Sequence, residues 1–136
     1  MSREPGGNED DGIPEDVRAF IVAHIASVEQ LEILLLLRAH PERGWSPAEL
    51  SRELYIAEES AARRIRDFHA SGLLAQEAGR PIYRYAPHDA HVSRVVESLA
   101  AVYQERRVRV INLIFSKPVD HIRSFADAFK FRKKND

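Results

Sequence analysis

Few residues of this 136-residue chain have the types and spacing that a catalytic centre requires. The chain contains no cysteine, which excludes thiolate nucleophiles, disulfides and thiolate metal sites. It also lacks the Gly-x-Ser-x-Gly and His-Glu-x-x-His patterns and any glycine-rich phosphate loop. The adjacent acids Glu58 and Glu59 fall at a predicted helix start, where a structural role is sufficient. The sequence therefore predicts neither an enzyme nor a cofactor.

The stretch from Ser46 to Pro87 contains the clearest signals of local structure. Ser46 with Glu49 forms a Ser-x-x-Glu capping box, which predicts a helix that starts at Pro47 and turns at Tyr55. A second helix is predicted from about Glu58 to Ser71, followed by Gly72 in the left-handed conformation. Two strands, Leu73–Glu77 and Ile82–Ala86, are then predicted around a turn at residues 78–81.

Two further helices are predicted before this stretch. Pro14 to Ile25 has apolar residues at helical spacing. A second capping box at Ser27 opens a helix from Val28 to about His40, which is apolar almost all round and should be central to the core. Trp45 is predicted to be a packing residue.

A helix, a turn, a second helix and a hairpin in this order resemble the winged helix-turn-helix module of the MarR-type and ArsR-type bacterial regulators. The resemblance covers roughly residues 28–87, and it implies a three-helix core, a short first strand at Trp45 and a β-hairpin wing. Together with the N-terminal helix and a long C-terminal dimerisation helix predicted from apolar spacing, the expected fold is mainly α. The resemblance also implies a cytoplasmic, DNA-binding regulator of transcription. The residues that carry it are Ser46, Leu50, Leu54, Ile56, Ala61, Ile65, Phe68, Gly72, Leu73 and Tyr85.

If this module binds double-stranded DNA, the outer face of the second helix enters the major groove and the wing reaches a minor groove or a phosphate. The DNA-binding residues then predicted are Ser60, Arg63, Arg64, Arg66, Arg80 and Arg84. Glu58 and Glu59 would repel phosphates, and Ala57 stands where the family usually has a hydroxyl or Asp cap. A non-catalytic adaptor that binds another protein through its winged helix therefore stays an alternative.

Asp89 and His91 resemble half of the Asp-x-His…His-x-x-Glu zinc site of some ArsR-type sensors. Glu105 fits the last ligand of that pattern, but Val102 stands where the second His is needed. Three ligands of this kind make a poor zinc site, so no metal is predicted.

A long helix is predicted from Asp89 to about Ser116, with a heptad seam that is interrupted once, at Arg106. We expect this helix to pair with a second copy in a homodimer; the alternative is that it folds back on its own domain. The predicted dimerisation residues are Val92, Val96, Leu99, Tyr103, Val110 and Leu113.

The two ends of the chain are opposite in charge. Residues 1–16 carry one Arg against six acids, and residues 106–136 carry nine basic residues against three acids. We predict a disordered acidic tail over 1–12, a winged-helix domain with its N-terminal helix over 13–88, the dimerisation helix over 89–117, and an amphipathic basic segment over 118–136. In that last segment Phe125, Phe129 and Phe131 are candidates for binding a partner protein, with a membrane surface less favoured and packing on the dimer core still open.

Overall fold

The computed structural model describes residues 12–116. The described part is mainly helical, with one small antiparallel sheet, in agreement with the predicted class. The predicted partner-binding residues Phe125, Phe129 and Phe131 lie outside the described residues, as does most of the acidic tail. The elements are α1 (Glu15–His24), α2 (Val28–Ala39), α3 (Pro47–Leu54), α4 (Glu58–Ala70), β1 (Leu74–Gln76), β2 (Tyr83–Tyr85), α5 (Ala90–Glu105) and α6 (Arg107–Ser116).

The predicted capping box at the start of α3 is present. Ser46 Oγ accepts the N–H of Glu49 at 3.2 Å, and Glu49 Oε1 accepts the N–H of Ser46 at 2.9 Å. At the start of α2, Ser27 Oγ accepts the N–H of Gln30, but the Gln30 side chain accepts from Ala26 instead of Ser27. Both helices therefore start where the sequence predicts, and only the first has the complete reciprocal pair.

The hairpin is connected to α4 through Gly72 and is extended by Trp45. Gly72 has a φ of +83°, and the N–H of Leu73 donates to the carbonyl of Phe68 at 3.0 Å, which closes the end of α4. Trp45 exchanges two backbone hydrogen bonds with Tyr83, of 2.7 and 2.9 Å. The short first strand is thus confirmed as a single bridge, and the Trp45 side chain is buried in the core.

α2 forms the centre of the core. Leu31, Ile33, Leu34 and Leu37 are all completely buried. α3, α4 and β2 pack directly against α2, while α1 packs against α5. No single described helix is long and apolar enough to cross a membrane; α1 and α2 reach that length and hydropathy only as a pair bent by 112°.

The prediction of one continuous helix over residues 89–116 is wrong. The helix ends at Glu105, Arg106 adopts φ −132° and ψ 51°, and α6 begins at Arg107. Neither proline nor glycine is present at the break. Its physical reason is packing, because the bend allows Val110 and Ile114 of α6 to reach the chain's own core, where they are 0% and 2% exposed.

Two polar contacts fasten α2 to the α5–α6 region. Arg38 donates two hydrogen bonds to the Glu97 carboxylate, at 3.0 and 2.7 Å, and the guanidinium holds the pKa of Glu97 below its usual range. Glu32 accepts from the Tyr103 hydroxyl at 3.1 Å and from Arg107 at 3.2 Å. Tyr103 and Arg107 flank the break, so the second contact joins α2 to both α5 and α6 at the bend.

Most of the predicted dimer seam is buried within the chain itself. Val96, Leu99 and Val110 have no exposed surface, and Tyr103 is 6% exposed. Val92 and Leu113 are partly buried and pack against the same core. In this structure the seam is therefore part of the chain's own core, as in the alternative of a helix that folds back on its domain.

We expect Leu99→Ala to lower the free energy of unfolding by about 2–5 kcal/mol, because it opens a cavity in a fully buried site. Chemical denaturation at two protein concentrations measures this, and the loss should be the same at both. Val22→Ala, at a site that is 38% exposed, is the matched control and should change stability by less than about 0.5 kcal/mol. A loss for Leu99→Ala that depends on protein concentration would instead place Leu99 in an interface between chains.

Candidate nucleic-acid interface

α4 has one face in the core and one in solvent. Ala61, Ile65 and Phe68 are buried at helical spacing, as the sequence predicts. Arg63 and Arg66 are exposed on the helix, and neither makes a hydrogen bond or ion pair within residues 12–116. Two guanidinium groups are thus presented together, free to bind an anion or a base edge.

Ser60 and Arg64 of α4 are directed toward α2 and contact Glu29. The Ser60 hydroxyl donates to Glu29 Oε2, and Arg64 Nε lies 3.7 Å from the same oxygen. The Arg64 and Glu29 side chains are only 23% and 30% exposed. Although the sequence predicts that Ser60 and Arg64 bind DNA, in this structure they hold α4 against α2.

Of the two predicted arginines in the hairpin, Arg80 is the more exposed. It lies next to Gly79, which has a φ of +67°, and its side chain is 66% exposed and 3.8 Å from Glu77. Arg84 is partly buried in β2 and pairs with Ala75 of β1. Arg80 is therefore the hairpin residue that can contact a ligand without a change in the fold.

The charges around α4 are balanced. Glu58 and Glu59 are exposed in its first turn, and Ala57 provides no side-chain cap, as the sequence predicts. The stretch from Ser46 to Pro87 contains six arginines and six acidic residues. The stretch has no net positive charge, so any attraction of this stretch for a polyanion must come from the local placement of Arg63, Arg66 and Arg80.

The histidines and acids at the start of α5 are engaged in local structure. Asp89 Oδ1 accepts the N–H of His91 at 2.7 Å and caps α5. His88 Nδ1 lies 3.0 Å from the carbonyl oxygen of Gly72. Glu105 is at the opposite end of this 16-residue helix, about 20 Å away at 1.5 Å per residue. Within residues 12–116 no three His, Asp or Glu side chains are grouped as metal ligands.

A cavity of about 440 Å³ lies behind α4, next to the end of α1 and the start of α2. Its lining includes Gln30, Arg64 and Phe68, and Arg64 Nε is buried there without a hydrogen-bond acceptor. Neither Arg63 nor Arg66 lines this cavity. A small molecule bound in it would touch α4 while leaving both exposed arginines uncovered.

Two residues of this region could not be identified from the sequence as important. Glu29 is one carboxylate among several in a helix whose apolar residues dominate the pattern. Tyr55 ends α3 with φ 58° and ψ 48°, and it is 94% exposed. The position of the turn is predictable, but tyrosine is not a residue type that favours the left-handed conformation.

No protein-family model and no curated protein matches this sequence.

We expect Glu29→Ala to lower the free energy of unfolding by about 1–2 kcal/mol, because Ser60 loses its hydrogen-bond acceptor and Arg64 loses its ion-pair partner. Thermal or chemical denaturation measures the loss. Glu59→Ala, on the exposed side of α4, is the matched control and should change stability by less than about 0.5 kcal/mol. In a double-mutant cycle, Glu29→Ala and Arg64→Met should couple favourably; additive losses would show that the pair contributes nothing to the docking of α4.

Proposed function

We propose that this protein is a DNA-binding transcriptional regulator, with a winged helix-turn-helix formed by α2, α3, α4 and the hairpin. α4 is the helix that enters the major groove, and Arg63 and Arg66 contact guanine edges or phosphates there. Arg80 contacts the sugar–phosphate backbone from the hairpin. The regulator is a cytoplasmic bacterial protein that acts as a homodimer on two half-sites, without catalysis.

The observation that carries this proposal is that Arg63 and Arg66 are exposed and have no partner within residues 12–116, on a helix whose opposite face is packed in the core. Supporting it are the complete cap of α3 and the packing of α4 on α3, α2 and β1. A rigid helix loses little backbone freedom on binding, and exposed guanidinium groups can bind without first breaking an ion pair within the described residues. Ser60 and Arg64 are left out of the proposed interface because Glu29 already binds them.

The dimer contact that we propose differs from the predicted seam. On α6, Val108 and Phe115 are each 66% exposed, seven residues apart, whereas Val110 and Ile114 of the same helix are buried. A seven-residue spacing places both exposed side chains on one stripe, which is the arrangement by which helices pair.

Replacing both Val108 and Phe115 by Lys should convert the dimer into a monomer. Because both side chains are exposed on the single chain, the substitutions should not lower the melting temperature of the folded chain itself. Sedimentation velocity over a range of concentrations measures the change. Val22→Lys on α1 is the control and should leave the dimer intact. A double variant that sediments like the wild-type dimer would rule out this face of α6.

Charge reversal at Arg63 and Arg66 together should reduce DNA affinity by at least about 100-fold, because two favourable contacts become repulsive. Neither residue has a partner within the described part of the chain, so the fold and oligomeric state should be preserved. Arg52→Glu, a charge reversal on α3, is the control and should have a smaller effect. Fluorescence anisotropy with a labelled duplex provides the measurement, and unchanged affinity in the double variant would contradict the assignment of α4.

The balanced charge of residues 46–87 favours one competing function, a non-catalytic adaptor that binds another protein. The dependence of binding affinity on salt concentration distinguishes DNA binding from protein binding. A DNA complex releases counterions and should weaken steeply as salt rises, whereas an apolar protein contact should not. A partner protein that is captured by the wild type and lost in a Phe125→Ala, Phe129→Ala variant would favour the adaptor.

A further inference from the structure

Tyr55 combines an unfavourable backbone conformation with an exposed side chain. Among the described residues it is the one non-glycine residue with positive φ. In this conformation the Cβ atom of an L-residue crowds the following carbonyl, so helix ends of this kind usually have Gly or Asn. The Tyr55 side chain is 94% exposed and makes no hydrogen bond within residues 12–116.

The backbone of this turn is held by other groups. The Ser51 carbonyl accepts the N–H of both Tyr55 and Ile56, and Ser51 Oγ donates to the carbonyl of Ile56 at 2.5 Å. Ile56 packs against the core. The turn therefore requires only a residue that tolerates positive φ, and the phenol ring is almost fully exposed within the part of the chain that the structure describes.

We propose that Tyr55 is a DNA-contacting residue that binds the sugar–phosphate backbone next to the N-terminus of α4. This inference rests on the proposed function. In a helix-turn-helix complex the first helix crosses the DNA backbone and the N-terminal part of the second enters the groove. Tyr55 is the C-cap residue directly after that first helix, three positions before Glu58, so we place it where the chain passes over the edge of the groove.

The acidic residues next to Tyr55 explain why an uncharged hydrogen-bond donor is suited to this position. Glu58 and Glu59 occupy the first turn of α4 and repel phosphate oxygens. An uncharged hydroxyl can donate a hydrogen bond to a phosphate at this position, and the ring can pack on the adjacent sugar. Tyr55 thus supplies a phosphate contact at the end of α4 where the side-chain charge is unfavourable.

Two substitutions test the proposal with the full-length protein. Tyr55→Phe removes only the hydroxyl and should weaken DNA binding by about 3- to 10-fold, the usual effect of one lost hydrogen bond. Tyr55→Gly also removes the ring and should weaken binding further, while its melting temperature stays equal to that of the wild type or rises. A loss of affinity in this variant cannot then result from misfolding.

The probes are a labelled duplex from the DNA upstream of the protein's own coding sequence and a duplex of shuffled sequence, titrated at several salt concentrations. Both Tyr55 variants should lose the same factor on both duplexes, because a backbone contact reads no sequence. The slope of log affinity against log salt should stay that of the wild type, because no charge is removed. Arg63→Gln should reduce the same slope by about 1.

Tyr55 variants that bind both duplexes as tightly as the wild type would overturn this inference alone, provided that reversal of Arg63 and Arg66 still abolishes binding. An affinity loss confined to one duplex would also overturn it, since Tyr55 would then read bases. A wild-type protein that shows no saturable binding to either duplex would remove the proposed function itself, and the Tyr55 contact with it.

Discussion

α2 is apolar on almost every side, and such a helix is stable in water only when other elements cover it completely. α3, α4 and β2 pack on it, and α5 is attached to it through Arg38 and Glu97. This requirement accounts for the largest difference between the expected and the observed fold. Val96, Leu99 and Val110 are spaced like a seam between two chains, but the core around α2 buries them within one chain.

Structural features that depend only on residues adjacent in the sequence could be predicted. The caps at Ser27 and Ser46 and the left-handed Gly72 each have a local chemical reason, and each is present. The strand-like Trp45, expected from the resemblance to winged helices, is present as well. The break at Arg106 has no local signal. It is explained by the burial of Val110 and Ile114 in the core, and it is accompanied by the contact of Glu32 with Tyr103 and Arg107, residues more than 70 positions away in the chain. A heptad pattern alone cannot show whether its stripe faces a second chain or the chain's own core.

The same limit applies to the candidate interface. The periodicity of α4 predicts its buried face, and Arg63 and Arg66 are consequently exposed as expected. Whether a polar residue at the edge of that face is available for binding depends on the neighbouring helix. Glu29 of α2 engages Ser60 and Arg64, and its position opposite them could not be deduced from spacing. Local periodicity thus predicts which residues of α4 face the core and which face solvent. It does not predict which of the polar residues are paired with a neighbouring helix.

The central claim, that this protein binds DNA as a regulator, is tested most directly by titrating the purified protein against the DNA upstream of its own coding sequence. The titration should be repeated over a range of salt concentrations, with a random duplex for comparison and the oligomeric state measured in the same sample. The account predicts saturable binding by a dimer, a preference for the upstream DNA, and a steep loss of affinity as salt rises. Weak binding without preference between the two duplexes would contradict it and would favour a protein partner.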